Sequence, residues 1–321
     1  MNKTGIDYLR FRAKSSHFDV LEAVRPFFTA GHLLELGQEE KGKDGWEKRR
    51  SVVLADITIA YMDYGGESQR DWLRFDMAGK GCDWVGDWSG FARLYDTLPT
   101  AQLRRVDVKL DLFDGSVTHD SVLSAYESFQ FKRTTGGRNP KMRKIDGSSL
   151  CDGRTIYIGA RDSVRFIRCY EKGWETLAKM RFPEQYKKPD MVADFEDGNG
   201  LIPVADRYRV EVEFKAIDEA VLPWPILSDS DSYFSGSAPF CASLVEAAPK
   251  RMGQPFPSEF LPKATLACLM EHCRISYGGM LRAAIAIYGD TPETKIRLFN
   301  EIVGEEPSAR LVREGVLMLT V

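Results

Sequence analysis

Histidine is scarce in this chain, four residues in 321, and the six cysteines (Cys82, Cys151, Cys169, Cys241, Cys268 and Cys273) include no C-x-x-C pair. Zinc sites are built from such ligands at close spacing, so the pattern argues against zinc; free, mostly buried thiols in a reducing compartment are the simpler account. Long apolar runs are missing too. No window approaches the ~18 to 20 apolar residues of a membrane span, and the opening MNKTGIDYLRFRAKSS has no stretch of signal-peptide character. The expected location is the cytoplasm, with no membrane partner. A large charge of one sign is also lacking. A net charge of −3 excludes a general polyanion binder, so any nucleic acid must be held by a local basic patch. The G-x-x-x-x-G-K-[ST] spacing of a nucleotide-binding P-loop is absent, which leaves Lys80 in MAGKGC a weak signal.

What is present is a soluble globular composition, 43% hydrophobic and 28% charged, with ample length for one large domain or two ordinary ones. Clean strand alternation organises the first two-thirds. The stretch from Arg154 to Glu175, RTIYIGARDSVRFIRCYEKGWE, reads as a β-hairpin with the polar turn Arg161-Asp162-Ser163. Its second run places Phe166, Arg168, Tyr170 and Lys172 on one face. A phenol has an unperturbed pKa near ~10 and becomes a nucleophile when neighbouring positive charge favours the phenolate. Tyr170 between two cations is therefore the candidate nucleophile. The same alternation also describes a packing tyrosine on a solvated face.

Ile6 to Arg12 reads as the first strand, followed by a Ser16-capped helix to about Phe28, and Gln38 to Arg50 as an exposed hairpin loop. An aromatic helix is expected from Asp87 to Leu98. In RRVDVKLD, Val106, Val108 and Leu110 face a core, while Arg105, Asp107, Lys109 and Asp111 line the other side. YRVEVEFK repeats the pattern, with Val210, Val212 and Phe214 inward and Arg209, Glu211, Glu213 and Lys215 outward. Paired carboxylates are hard ligands suited to Mg²⁺ or Mn²⁺. They also suit a solvated face on which unlike charges pair. Between these strands Thr118 caps a helix to about Phe129, and FKRTTGGRNPKMRK follows. Lys132, Arg133, Arg138, Lys141, Arg143 and Lys144 crowd that loop, which reads as either a phosphate-contacting element or a merely solvated one. A short helix is expected over Trp174 to Met180. The Pro-, Ser- and Asp-rich LPWPILSDSDSYFSGSAPF then marks a boundary, giving domains over 1–220 and 241–321 with a linker over 221–240. Beyond it, helices are expected over 261–274, 277–288, 291–303 and 308–317.

Taken in order, MAGKGC at Met77, RVDVKLD at Arg105, GRTIYIGARDSVRFIRCYEKGWE at Gly153 and RYRVEVEFK at Arg207 make the chain resemble trans-acting rolling-circle replication initiators of filamentous phages and small plasmids. The resemblance spans roughly Ile6 to Lys215, and within it the Y-x-K ending of the hairpin is the most specific part. It implies an α+β fold, an antiparallel sheet flanked by helices and related to the palm of the nickases that carry paired histidines, followed by a smaller helical C-terminal domain. It implies a site-specific nicking and joining enzyme whose tyrosine, at the position of Tyr170, attacks a phosphodiester at an origin and leaves a 5′-phosphotyrosine. Here His17, His32, His119 and His272 are all solitary, so Mg²⁺ or Mn²⁺ would fall to Asp107, Asp111, Glu211 and Glu213. Arg168 and Lys172 would assist the nucleophile, and Arg105 with the basic loop would line a DNA groove. The implied partners are single-stranded or hairpin origin DNA, a host helicase and polymerase, and a second copy as homodimer. A non-catalytic origin- or promoter-binding protein and a conjugative relaxase are the alternatives.

Overall fold

Alternating sequence patterns resolve into one ten-stranded antiparallel sheet with the order β2-β3-β4-β5-β1-β6-β12-β9-β8-β7. The computed structural model describes residues 2–132, 138–149, 151–195, 198–218, 220–252, 274 and 279–302. The strands are β1 (Gly5–Ala13), β2 (Leu34–Lys41), β3 (Lys48–Leu54), β4 (Ile57–Tyr64), β5 (Leu73–Ala78), β6 (Gln102–Leu112), β7 (Met142–Ile145), β8 (Thr155–Ile158), β9 (Arg165–Tyr170) and β12 (Tyr208–Lys215). β10 (Val192–Asp194) and β11 (Leu201–Pro203) form a separate small hairpin. The helices are α1 (His17–Val24), α2 (Gly79–Cys82), α3 (Trp88–Phe91), α4 (Leu94–Thr97), α5 (His119–Glu127), α6 (Lys172–Lys179), α7 (Ser230–Ser235) and α8 (Pro239–Ala242).

Period-two alternation gives this sheet two unlike faces. Val106, Val108 and Leu110 of β6, Val210, Val212 and Phe214 of β12, and Ile167 and Cys169 of β9 share one core with Val20, Leu21 and Val24 of α1, Val122 of α5 and Phe234 of α7. Each such side chain contributes roughly 1.5 to 3 kcal/mol on burial, so this face anchors the strands that carry charge on the other. The caps read from the sequence are present: Ser16 Oγ accepts from Asp19 N, and Thr118 with Ser121 forms a reciprocal capping box on α5.

Several expectations shift. The loop expected over Gln38 to Arg50 is mostly strand, because β2 runs to Lys41 and β3 opens at Lys48. The aromatic helix splits into α3 and α4. Arg143 and Lys144, expected in a flexible loop, lie on the edge strand β7, where charged side chains also discourage pairing with another chain. The stretch expected as a linker, 221–240, packs Leu222, Ile226, Leu227, Phe234 and Phe240 into the main core. The chain divides into compact units Met1–Phe256 and Pro257–Val321, so the division falls some way beyond 240. In the second unit, residues 279–288 are helical. A helix over Pro292–Ile302 is capped by Thr291, whose Oγ1 accepts from Thr294 N at 3.2 Å. The helices expected over 261–274 and 308–317 lie, Arg274 aside, outside the described residues.

Candidate active site

Antiparallel register arranges the charged face of the sheet into rows. Asp107 on β6 opposes Tyr8 on β1 and Glu213 on β12. Next to it, Lys109 opposes Glu211, Glu211 opposes Arg168 on β9, and the row runs on through Tyr157 on β8 to Arg143 on β7. A third row joins Asp111, Arg209 and Tyr170. Residues far apart in the chain thus meet because each stands at a known step along its strand.

The carboxylates are deeply placed: Asp107, Glu211 and Glu213 are 2%, 2% and 5% exposed. Buried charges need partners, and two arginines supply them. Arg105 donates to both oxygens of Asp107 at 2.8 and 2.7 Å and reaches Glu213 at 2.8 Å. Arg168 Nη2 bridges Asp107 Oδ2, at 3.1 Å, and Glu211 Oε1. Tyr170 Oη donates to Glu211 Oε2 at 3.4 Å. Asp111 stands apart: Arg209 holds it in a fork with both bonds at 2.6 Å and also reaches Asp7 at 3.1 Å. The four expected metal ligands therefore divide into a group of three and a separate, arginine-bound fourth. Glu171 takes no part in this set, because it accepts from the Arg154 backbone N–H and guanidinium, both at 2.8 Å.

Lys172 departs from its expected place. The strand stops at Tyr170, and Lys172 opens helix α6 instead of continuing the face. Gly173 explains the turn: its N–H donates to the Arg207 carbonyl at 3.0 Å, and a Cβ there would overlap the Val204 carbonyl oxygen. The helix still brings the Lys172 ammonium within 5.6 Å of the Tyr170 ring centroid and pairs it with Glu175. Burial and the nearby Arg209 push the lysine pKa down. The acidity expected of Tyr170 is also corrected. Burial pushes its pKa up; Arg209 works in the opposite direction, but Glu211 and Glu175 add to the rise. The balance, with burial foremost, favours the protonated phenol.

Among the described residues no group of three or more His, Cys, Asp or Glu has a metal-cluster arrangement. The donor chemistry nonetheless fits a hard divalent ion. Burial drives the Glu211 pKa upward, Arg168 opposes this, and Asp107, hydrogen-bonded to it, raises it further. Asp107 is likewise raised, by burial first and against the pull of Arg105. A bound divalent cation would favour the ionised form of both carboxyls and so oppose the upward push of burial.

An open cavity of about 520 Å³ lies over this face, lined in part by Asp7, Asp107, Arg105, Arg168, Lys172 and Arg209. Lys80 and Tyr8 line it too, the latter donating its hydroxyl to Asp76 and accepting from Arg10 Nη2 at 2.7 Å. Asp7, Tyr8 and Arg209 went unrecognised as site residues in the sequence. The register of β1 shifts between Ile6 and Tyr8, so consecutive residues both reach the cavity, which plain alternation forbids. For Arg209 the signal was there, two residues before Glu211 on the charged face.

The expected DNA contacts scatter. Arg105 is locked in the carboxylate row, and Lys132 Nζ sits 3.9 Å from the Phe129 ring centroid. Arg138 and Lys141 are exposed before β7, Arg143 shares the site face at the sheet edge, Lys144 is on the other face, and Arg133 lies outside the described residues.

A family model described as "Replication initiation factor" matches residues 101–252, the segment that supplies β6, the β8–β9 hairpin and β12. Over this segment the chain is similar to the replication initiation factor family. Among solved structures it is similar to the rolling circle replication initiator protein from Geobacillus stearothermophilus, with a TM-score of 0.46 and 18% identity over 67% of this chain and 75% of that one. No curated protein matches the chain.

Proposed function

We propose that this protein is a rolling-circle replication initiator that nicks and rejoins one DNA strand at an origin through Tyr170. One observation carries the reading: the Tyr170 hydroxyl stands 3.4 Å from Glu211 Oε2, at the end of a buried carboxylate row that Arg105 and Arg168 hold together. In the forward step the Tyr170 Oη–P bond forms in line as the P–O3′ bond breaks, leaving a 5′-phosphotyrosine and a free 3′-hydroxyl. Glu211 Oε2 is the acceptor in reach of the phenol proton, and its raised pKa suits that transfer. Lys172, lowered in pKa beside the ring, supplies a proton to the departing O3′. Arg168 offsets the charge that gathers on the phosphate oxygens. Asp107, Glu211 and Glu213 would hold Mg²⁺ or Mn²⁺, which polarises the scissile phosphate when bound. The new 3′-end would prime a host polymerase behind a host helicase.

The test is incubation with a labelled single-stranded origin library and Mn²⁺, read by denaturing gel and mass spectrometry of the tryptic peptides. The wild-type protein is expected to carry a nucleotide on the Tyr170 peptide, and Tyr170→Phe, which keeps the ring and removes the nucleophile, to carry none. An adduct that survives the substitution sinks the assignment; cleavage that persists in EDTA sinks the metal role. A second reading, origin binding without cleavage, has one observation in its favour: Arg105 and Arg168 already occupy oxygens of Asp107 and Glu211. Tight binding with no adduct would select it.

A further inference from the structure

Beside the cavity at the carboxylates lies a second one, of about 240 Å³, whose lining includes six cationic side chains, Arg10, Arg12, Arg74, Arg104, Arg105 and Lys215; no described lining residue is acidic. Arg105 lines both cavities, so they adjoin. The register makes this concentration unusual. Lys215, Arg105 and Arg10 are direct cross-strand neighbours on β12, β6 and β1, and Arg12 directly opposes Arg74 on β5. Like charges in directly opposed positions destabilise a sheet, and neighbouring strands are only about 4.8 Å apart. Asp76 and Asp63 relieve part of this by binding Arg10 and Arg74 from the β5 and β4 side. Asp107 and Glu213 bind Arg105, and Glu213 also binds Lys215, yet none of these acids lines the cavity, whose wall is cationic.

Aromatic rings accompany the cations. Trp46 lines the cavity with Arg74 5.5 Å from its ring centroid, and the Arg12 guanidinium lies 4.3 Å from the Trp72 centroid. Both indoles are half-buried, each with a face held by a cation. Cations that track phosphates together with aromatic faces that accept any base are the two components of a single-strand binding groove.

We propose that this cavity is a second DNA subsite, which takes the phosphates and bases of the single strand on one side of the scissile phosphate. The strand crosses the sheet from Tyr170 on β9 past Arg105 toward β1 and β5. The proposal rests on the nicking reading only for the identity of the strand; Arg105 is shared with the carboxylate row, and the other lining residues are separate from it.

The experiment is fluorescence anisotropy of a labelled oligothymidylate against salt concentration, with wild-type protein, Arg12→Gln, Trp46→Ala and the ring-preserving Trp46→Phe, each checked for an unchanged circular-dichroism melt. Arg12→Gln and Trp46→Ala should each weaken binding about tenfold. Only the arginine change should also lower the slope of log affinity against log salt, by about 0.7 for one lost phosphate contact. Trp46→Phe should restore most of the affinity, and saturating DNA should still give the Tyr170 adduct in every variant. If Arg12→Gln and Trp46→Ala bind as wild type does while wild type forms the adduct, the subsite is overturned and the nickase reading stands. If wild type forms no adduct yet these changes weaken salt-dependent binding, the nickase reading falls and the subsite stands. Wild-type protein that shows no salt-dependent binding of oligothymidylate overturns the subsite as well.

Discussion

At the scale of single residues, the site consists of charges whose neighbours decide their state. Glu171 is the clearest structural case: buried at 6% exposure, it accepts from both the backbone and the guanidinium of Arg154 and so pins the start of β8 to the end of β9. Removing one member of a buried pair strands the other, and because Arg154 is partly exposed the expected cost of Glu171→Ala is about 2 kcal/mol. A urea midpoint that does not move would contradict this. Such pairings also mark how far the sequence could be read. Asp107, Glu211, Glu213 and Tyr170 were recognisable as a charged set because alternation dictates their face. Which guanidinium serves which carboxyl was not, since that depends on the register between β6, β12 and β9. The resting state of Tyr170 was misjudged for the same reason: the sequence shows the cations beside it, but not its burial or the acids across the sheet.

At the scale of elements, β6 and β12 were legible because apolar and charged residues alternate without interruption, β1 and β9 because alternation runs through most of their length, and α1 and α5 because their caps are local. Others escaped, and two show why. Met142–Ile145 is an exposed edge strand whose two apolar residues flank Arg143 and Lys144, so it merges with the basic loop before it. The switch from strand to helix at Lys172 depends on Gly173 meeting the Val204 carbonyl, a contact made by a segment thirty residues downstream. Gly173→Ala should push α6 off this seat, at a cost of about 2 kcal/mol, and withdraw the Lys172 ammonium from Tyr170. The expected result is a lower melting midpoint by circular dichroism, together with a reduced adduct yield at temperatures where the variant is still folded. An unchanged yield would mean that Lys172 is not needed where the helix puts it.

Across the whole molecule, the division at Phe256 and Pro257 separates the sheet, with its carboxylates and cations, from the C-terminal unit. A chain ended at residue 256 should therefore unfold in one cooperative transition with the urea midpoint of the sheet unit and retain Tyr170 chemistry. Loss of cooperativity or of the adduct would assign the last residues a part in the first unit. The overall charge of −3 misleads at this scale, because the cations that matter lie along one side of one sheet while the acids beside them are tied up. The arrangement of that sheet also limits how such a protein can change. Its charged row and its apolar core occupy alternate positions on β6, β9 and β12, so gaining or losing one residue inside β6 or β12 would turn Asp107 and Glu211 inward and bring Val108 and Val212 out to take their places. Length variation among descendants of this chain should thus gather in the turns and the β10–β11 hairpin, while the strand interiors tolerate substitution but not insertion.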